Sequence, residues 1–173
     1  MDRSPFFALL DNVRSMHNVG AIFRTSDAVL LKKLYLCGIT AAPPRKEISK
    51  TALGADELVP FEYFDDAVEA VKALKAEGVR VVAVELAKGA AVYSDFKWDG
   101  PVCYVFGHEV EGISDEVMEE VDDAVYVPML GRANSLNVAT CFGVVMLDAL
   151  RKISGRKLGV YFLGFCWRCF CGF

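Results

Sequence analysis

Polar side chains that can bind ligands or handle protons are concentrated in three segments of a chain that is otherwise strongly apolar. The segments read DNVRSMHNVGAIFRTSDAV (residues 11–29), VFGHEVEGIS (residues 105–114) and VPMLGRANSLNV (residues 127–138). Together they hold amides, carboxylates, hydroxyls, arginines and both histidines of the chain. Because 54% of the 173 residues are hydrophobic, polar groups gathered at three points indicate a binding or catalytic site.

The second segment is close to a phosphate-binding P-loop but lacks the residue that such a loop needs. Gly107 and Gly112 have the required spacing, yet Ile113 stands where a P-loop has the lysine that meets the phosphates. Glu109 and Glu111 would also repel phosphate charge. The segment therefore favours a neutral or cationic ligand, and S-adenosylmethionine, with its ammonium and sulfonium groups, is one. The alternative is a tight strand-to-helix turn with solvated acids.

Residues in the other two segments have both a structural and a functional interpretation. Ser135 and Asn137 each suit the cap of the helix that follows them. Since one cap is enough, the other residue is free to face a ligand. Asn18 is likewise a candidate helix cap, and Arg24 is a candidate for a surface ion pair with Asp27. The residues by themselves leave these alternatives open.

An alternation of strands and helices along the chain would position the three segments. Continuous apolar runs such as VRVVAVEL and PVCYVFG are typical of parallel strands buried on both faces. The segment DDAVEAVKALKAEG is the clearest helix, with Asp66 as its cap and Gly78 at its end. The pattern predicts an α/β fold with a mainly parallel sheet flanked by helices. Ligands of such sheets bind beyond the carboxyl ends of the strands, where all three segments fall.

Composition and charge indicate one domain and argue against some partners. A chain of 173 residues can build one well-buried core. The formal charge is −4 and the pI is about 5.2, so nucleic-acid binding would need a local basic patch. No run of about 20 apolar residues predicts a membrane span, and the amino terminus lacks a signal-peptide pattern. We therefore expect a cytoplasmic protein without membrane contact.

The composition changes near Ile153, so we expect one domain over residues 1–152 and an apolar tail, not a domain, over residues 153–173. The tail is rich in glycine and aromatic residues and contains Cys166, Cys169 and Cys171. Structural zinc normally has four ligands, whereas the tail offers three cysteines and no histidine. We therefore expect no metal site.

Taken in order, NVRSMHNVGAIFRTSDA, VFGHEVEGIS and VPMLGRANSLNVA resemble the three motifs of the TrmH/SpoU branch of the SPOUT RNA methyltransferases. The resemblance extends through most of residues 6–152. One departure is His108, which stands where the family often has asparagine. The resemblance implies that residues 1–152 form a SPOUT catalytic domain, an α/β-knot fold whose C-terminal part forms a trefoil knot.

The resemblance also implies a donor, a reaction and a set of site residues. The donor would be S-adenosylmethionine, and its methyl group would pass to a ribose 2′-hydroxyl of tRNA or rRNA in a homodimer with its active site at the subunit interface. The cofactor-binding residues implied by motif position are Gly107, Gly112, Val127, Met129, Gly131 and Leu136. The catalytic residues implied in the same way are Asn18, Arg24, Glu109, Ser135 and Asn137.

Arg24 is the central catalytic candidate, because similar enzymes are proposed to use the arginine of the first motif as a base. Guanidinium groups stay protonated in proteins, so we expect Arg24 to grip a neighbouring phosphate and to stabilise the developing oxyanion. Asn18 would order Arg24 or the ribose, and Glu109 would orient the loop or Arg24. Ser135 and Asn137 would contact RNA or shape the cofactor pocket.

Two rival functions stay open beside ribose methylation. One is a non-catalytic RNA-binding relative with the same knotted fold, and the other is methyl transfer to an RNA base. Contact with RNA predicts a basic strip near the first motif. Its candidate members are Lys32, Lys33, Arg45, Lys46, Lys50 and Arg132. A solvated face is the alternative for each of them.

Overall fold

Seven strands form one sheet in which every pair of neighbouring strands is parallel. The computed structural model describes residues 3–154. The strands are β1 (Phe6–Asp11), β2 (Lys33–Cys37), β3 (Phe61–Phe64), β4 (Arg80–Val84), β5 (Ala91–Val92), β6 (Val102–Phe106) and β7 (Asp123–Tyr126). Their order across the sheet is β3-β2-β1-β6-β4-β7-β5. The predicted α/β fold with a mainly parallel sheet is confirmed.

Helices cover both faces of this sheet. They are α1 (Met16–Ala28), α2 (Lys46–Ala52), α3 (Ala55–Leu58), α4 (Ala67–Ala76), α5 (Asp115–Glu120) and α6 (Val138–Ser154). Helices α1, α2, α3 and α6 share one hydrophobic core, and α4 and α5 share the other. The central strands of the sheet are therefore buried on both faces, and the loops at the strand ends are left to carry the polar chemistry.

Strand β1 shows why the strands have continuous apolar sequences. Phe6, Ala8 and Leu10 point into the core beneath α1, while Phe7 and Leu9 point into the core beneath α4. Successive side chains of a strand face opposite sides of the sheet. Because both sides are buried here, the positions from Phe6 to Leu10 are all apolar.

The cap of α4 is the residue predicted from the sequence, whereas the cap of α1 is not the candidate Asn18. Helix α4 begins after Asp66, whose carboxylate accepts a hydrogen bond from the Val68 N–H at 2.8 Å, and Gly78 with φ 74° follows its end, as predicted. Helix α1 begins after Ser15, whose hydroxyl accepts from the Asn18 N–H at 3.3 Å. Ser15 is therefore the cap of α1, so the alternative in which Asn18 serves only as a cap does not hold, and the Asn18 side chain is available for the site.

The trefoil knot and the boundary of the tail stay predictions, and residues 155–173, with Cys166, Cys169 and Cys171, lie outside the described residues. Across residues 3–154, no group of three histidine, cysteine or carboxylate side chains is placed to hold a metal ion. None of the helices in that range is long and apolar enough to cross a membrane.

Candidate active site

The second and third polar segments line one cavity at the carboxyl edge of the sheet, and the first segment is hydrogen-bonded to both of them. The first follows β1, the second follows β6 and the third follows β7. The cavity has a volume of about 610 Å³. Seven of the eleven predicted site residues line it: Gly107, Glu109, Gly112, Val127, Met129, Ser135 and Leu136. Most of the predicted site residues therefore belong to the wall of this cavity.

The second segment is a tight turn closed by its own backbone. The His108 N–H donates to the Gly112 carbonyl at 2.9 Å, and the Gly112 N–H donates to the His108 carbonyl at 3.0 Å. Gly112 has φ 77°, in the left-handed region that favours glycine. A Cβ atom on Gly107 would overlap the backbone of Gly112 and Ile113. Both glycines are thus required by the close approach of the chain to itself.

Glu109 joins this turn to the first segment. Its carboxylate accepts hydrogen bonds from the backbone N–H groups of Arg14 and Ser15, each at 3.0 Å, and from the side-chain amide of Asn18 at 2.9 Å. Glu109 therefore places its charge at the amino terminus of α1, where the N–H groups lack partners inside the helix. Burial acts to raise the pKa of this carboxyl, but the hydrogen bonds from Asn18, Arg14 and Ser15 outweigh it and lower the pKa.

The lowered pKa of Glu109 predicts a pH-dependent contribution to stability. The charged form favours the folded state above the ordinary pKa of 4.5, and this contribution is lost as the pH falls through the lower, folded-state pKa. We expect Glu109→Gln to reduce the free energy of unfolding by about 1–2 kcal/mol at pH 7. The difference in the free energy of unfolding between wild type and variant should shrink below pH 4. Urea unfolding at pH 7 and below pH 4 measures this difference.

Glu111→Gln is the matched control for this measurement, because Glu111 lies in the same turn and its side chain is exposed. It should change the free energy of unfolding by less than about 0.5 kcal/mol at either pH. An equal loss in both variants would show that net charge, and not the contacts of Glu109, sets the stability of this turn.

Asn18 also joins the first segment to the third. The side-chain amide of Asn137 donates to the Asn18 side-chain oxygen at 3.1 Å. The Asn137 side-chain oxygen accepts from the N–H groups of Ala139 at 3.0 Å and Thr140 at 3.3 Å. Asn137 is therefore the cap of α6, and Ser135 is the member of the pair that lines the cavity.

Arg24 does not join this network. It is exposed on α1, and it lies six residues beyond Asn18, which is about 9 Å along the helix axis and about 240° around it. It does not line the cavity. Among residues 3–154 it makes no ion pair, with Asp27 or with any other acid. Gly131 is also exposed and outside the cavity lining.

Glu85 lines the same cavity and was not predicted. It directly follows β4, and one carboxylate oxygen accepts from the Leu86 N–H at 2.9 Å. Its other oxygen lies 2.6 Å from the position that a Cβ atom on Gly112 would occupy. The available signal was an acidic residue directly after a buried strand, at the edge where ligands bind.

Asp11 is a second residue that was not singled out. It is 1% exposed, and one carboxylate oxygen accepts from both the N–H and the hydroxyl of Ser114, at 2.9 and 2.8 Å. The other oxygen accepts from the Asn12 side-chain amide at 2.8 Å. Asp11 thereby ties the end of β1 to the end of the turn that forms the cavity wall.

The charge of the cavity lining is negative. Glu85, Glu109 and Glu111 are part of it, and no lysine or arginine of the described chain is. The remaining wall includes apolar side chains such as Val84 and Phe106. A ligand with an apolar part and a positive charge fits this lining better than a phosphate does.

The expected basic strip is divided between two edges of the sheet. Lys32 and Lys33 lie at the amino end of β2, opposite to the cavity, and Lys33 is paired with Glu62 at 3.0 Å. The five residues of β2 separate the two edges of the sheet by about 16 Å. Arg45 and the lysines of α2 follow the carboxyl end of β2, and α2 packs on α1. Only this second group lies toward the edge of the sheet that carries the cavity.

The fold matches those of solved RNA-modifying enzymes. The structure of the Aquifex aeolicus TrmH/SpoU tRNA modifying enzyme superposes with a TM-score of 0.80 at 30% identity, covering 89% of this chain and 78% of that one. The AdoMet-bound rRNA methyltransferase of Sinorhizobium meliloti superposes with a TM-score of 0.81 at 29% identity, covering 88% and 57%.

The chain belongs to the SpoU rRNA Methylase family, whose sequence pattern matches residues 5–147. It is also similar to the tRNA (guanosine(18)-2′-O)-methyltransferase of Thermus thermophilus, with 33% identity over 153 residues, covering 88% of this chain and 77% of that protein. The family resemblance seen in the three motifs is thus confirmed.

Proposed function

We propose that the chain transfers the methyl group of S-adenosylmethionine to a ribose 2′-hydroxyl of tRNA or rRNA in the cytoplasm. The observation that carries the proposal is the acidic cavity of about 610 Å³ that the second and third motifs line, with the first motif joined to both by the hydrogen bonds of Asn18. Such a volume suits a ligand the size of a nucleoside derivative. The names of the similar proteins support the same reaction.

The cavity lining fits the donor in both chemistry and space. S-adenosylmethionine supplies an activated methyl group on a positively charged sulfur. Gly107 and Gly112 belong to the backbone turn that lines the cavity, and the side chains of Val127, Met129 and Leu136 belong to the same lining. The carboxylates of the lining favour the cationic donor over an anion of similar size.

Alignment of the RNA hydroxyl with the donor is the main task left to the protein. The Glu109–Asn18–Asn137 network fixes the three motifs relative to one another, and Ser135 lines the cavity with no hydrogen bond to any residue within 3–154. We assign Ser135 and Asn18 to contacts with the ribose. We assign Arg45 and Lys46, at the start of the adjacent helix, to contacts with RNA phosphates.

Within residues 3–154, the cavity lining of one subunit lacks a positively charged side chain for the reaction. We assign this role to Arg24 of a second subunit. Because Arg24 lies outside the cavity of its own protomer, the active site is complete only if the partner of a homodimer supplies the guanidinium. There it would bind the RNA phosphate and stabilise the charge that develops on the 2′-oxygen. This arrangement agrees with the interfacial site implied by the motifs.

Nucleoside analysis of methylated RNA tests the reaction. The purified chain is incubated with S-adenosylmethionine and tRNA or rRNA from cells lacking the gene, and the digested RNA is examined by mass spectrometry. A 2′-O-methylnucleoside is expected. A base-methylated nucleoside would instead show the base methyltransferase, and RNA binding without any donor binding in calorimetry would show the non-catalytic relative.

A further inference from the structure

His108 uses its side chain to close the turn that forms the cavity wall. Its Nδ1 atom accepts hydrogen bonds from the backbone N–H of Val110 at 3.2 Å and of Glu111 at 3.1 Å. Together with the two backbone bonds between His108 and Gly112, these contacts define the path of residues 108–112. His108 itself also lines the cavity.

These contacts determine where the imidazole carries its proton. Both partners of Nδ1 are N–H donors, so Nδ1 must be the unprotonated nitrogen and the proton must be on Nε2. An imidazolium has two N–H donors and no acceptor. Protonation of His108 would therefore replace two hydrogen bonds with two donor–donor contacts in the centre of the turn.

Asparagine would supply the same acceptor without the same titration. Its side-chain oxygen is three bonds from Cα, as Nδ1 of histidine is, and asparagine commonly closes turns by accepting from N–H groups a few residues ahead. An asparagine at position 108 can thus hold the turn, but it cannot gain a proton near neutral pH. The two residues differ in their response to pH rather than in the shape they support.

We propose that His108 is a positioning residue that holds the turn of residues 108–112 in its donor-binding shape only while the imidazole is neutral. The proposal rests on the proposed function for the identity of the ligand. It makes donor binding in this chain sensitive to pH across the range in which histidine side chains titrate, about pH 5–8.

The charged groups that face His108 are carboxylates. Glu109 and Glu111 flank it in the turn, and Glu85 faces the turn from the end of β4. Opposite charges attract, so these carboxylates interact more favourably with an imidazolium than with a neutral imidazole. Cys141, which lines the cavity from α6, has its pKa raised by burial to about 11 and stays a neutral thiol.

Calorimetric titration of the full chain with S-adenosylmethionine tests the proposal. At pH 8 we expect His108→Asn to bind within about twofold of wild type and His108→Ala to bind about tenfold more weakly. Between pH 8 and pH 5.5, wild type should weaken about tenfold relative to His108→Asn. Changes in the donor itself affect both proteins equally and cancel in this comparison.

The same affinity for His108→Ala and wild type at pH 8, or the same pH profile for His108→Asn and wild type, would overturn the proposal. Equal weakening in His108→Asn and His108→Ala would also overturn it, because it would indicate a direct ligand contact by Nε2. Nitrogen-15 spectra of the imidazole show which ring nitrogen carries the proton, and they can be recorded without S-adenosylmethionine. A proton on Nδ1 at pH 8 would also overturn the proposal. The wild-type chain could also carry the imidazole proton on Nε2, as expected, and yet bind no S-adenosylmethionine. That result would contradict the proposed function, but the assignment of His108 as the residue that closes the turn would stand.

Discussion

Arg24→Lys is expected to lower turnover by about a hundredfold while leaving the affinity for S-adenosylmethionine within about twofold of wild type. Lysine keeps the positive charge but lacks the planar fork that holds two oxygen atoms at once. Since Arg24 does not line the cavity of its own protomer, its loss should not disturb donor binding there. Single-turnover kinetics and calorimetry measure the two quantities separately.

Arg151→Lys is the matched control for this change. Arg151 is an exposed arginine on a helix, with 69% of its side chain accessible, and it lies outside the three motifs. It should keep turnover within about twofold of wild type. Near-normal turnover in Arg24→Lys would refute a special role for the guanidinium, and a parallel loss of donor affinity would place Arg24 in the donor site instead.

The local features of this fold could be predicted because their causes lie within a few residues. The apolar strands follow from burial on both faces, and the ends of α4 follow from Asp66 and Gly78. Strand β5 has only two residues, too few for an alternation or a run to be visible. The prediction of one basic strip could have been corrected from the direction of the parallel strands. Lys33 begins β2, and the cavity lies beyond the other end of that strand.

The contacts that build the site could not be predicted from the residues alone, because they join distant positions. Asn18 and Glu109 are separated by 91 positions, and Asn18 and Asn137 by 119. Each asparagine has a plausible local use as a cap, and only the folded arrangement shows that Asn137 serves both as a cap and as a link. The angular positions of residues around α1 could have been used in the prediction. Residues 18 and 24 cannot face the same side of a helix.

Gly107→Ala is expected to weaken S-adenosylmethionine binding by about a hundredfold. The backbone of Gly112 and Ile113 occupies the space that the new Cβ atom needs, and backbone atoms cannot move aside as a flexible side chain can. The turn must therefore shift at the wall of the cavity. Calorimetry measures the affinity, and thermal unfolding checks that the chain still folds.

Gly143→Ala is the control for the Gly107 variant. Gly143 lies within α6, and nothing is within 4 Å of the position that its Cβ atom would take. Donor affinity should stay within about twofold of wild type. If Gly107→Ala also bound the donor normally, the turn of residues 107–112 would not be part of the donor site.

The Gly107 and Arg24 variants together decide whether the arginine acts across the subunit interface. In a dimer of one Arg24→Lys subunit and one Gly107→Ala subunit, the intact cavity of the first faces the intact arginine of the second. Random mixing of equal amounts makes half of the dimers mixed, with one complete site of two, so about a quarter of wild-type activity should return. If Arg24 served its own cavity, no mixed dimer would contain a complete site, and the mixture would stay as inactive as the two variants alone.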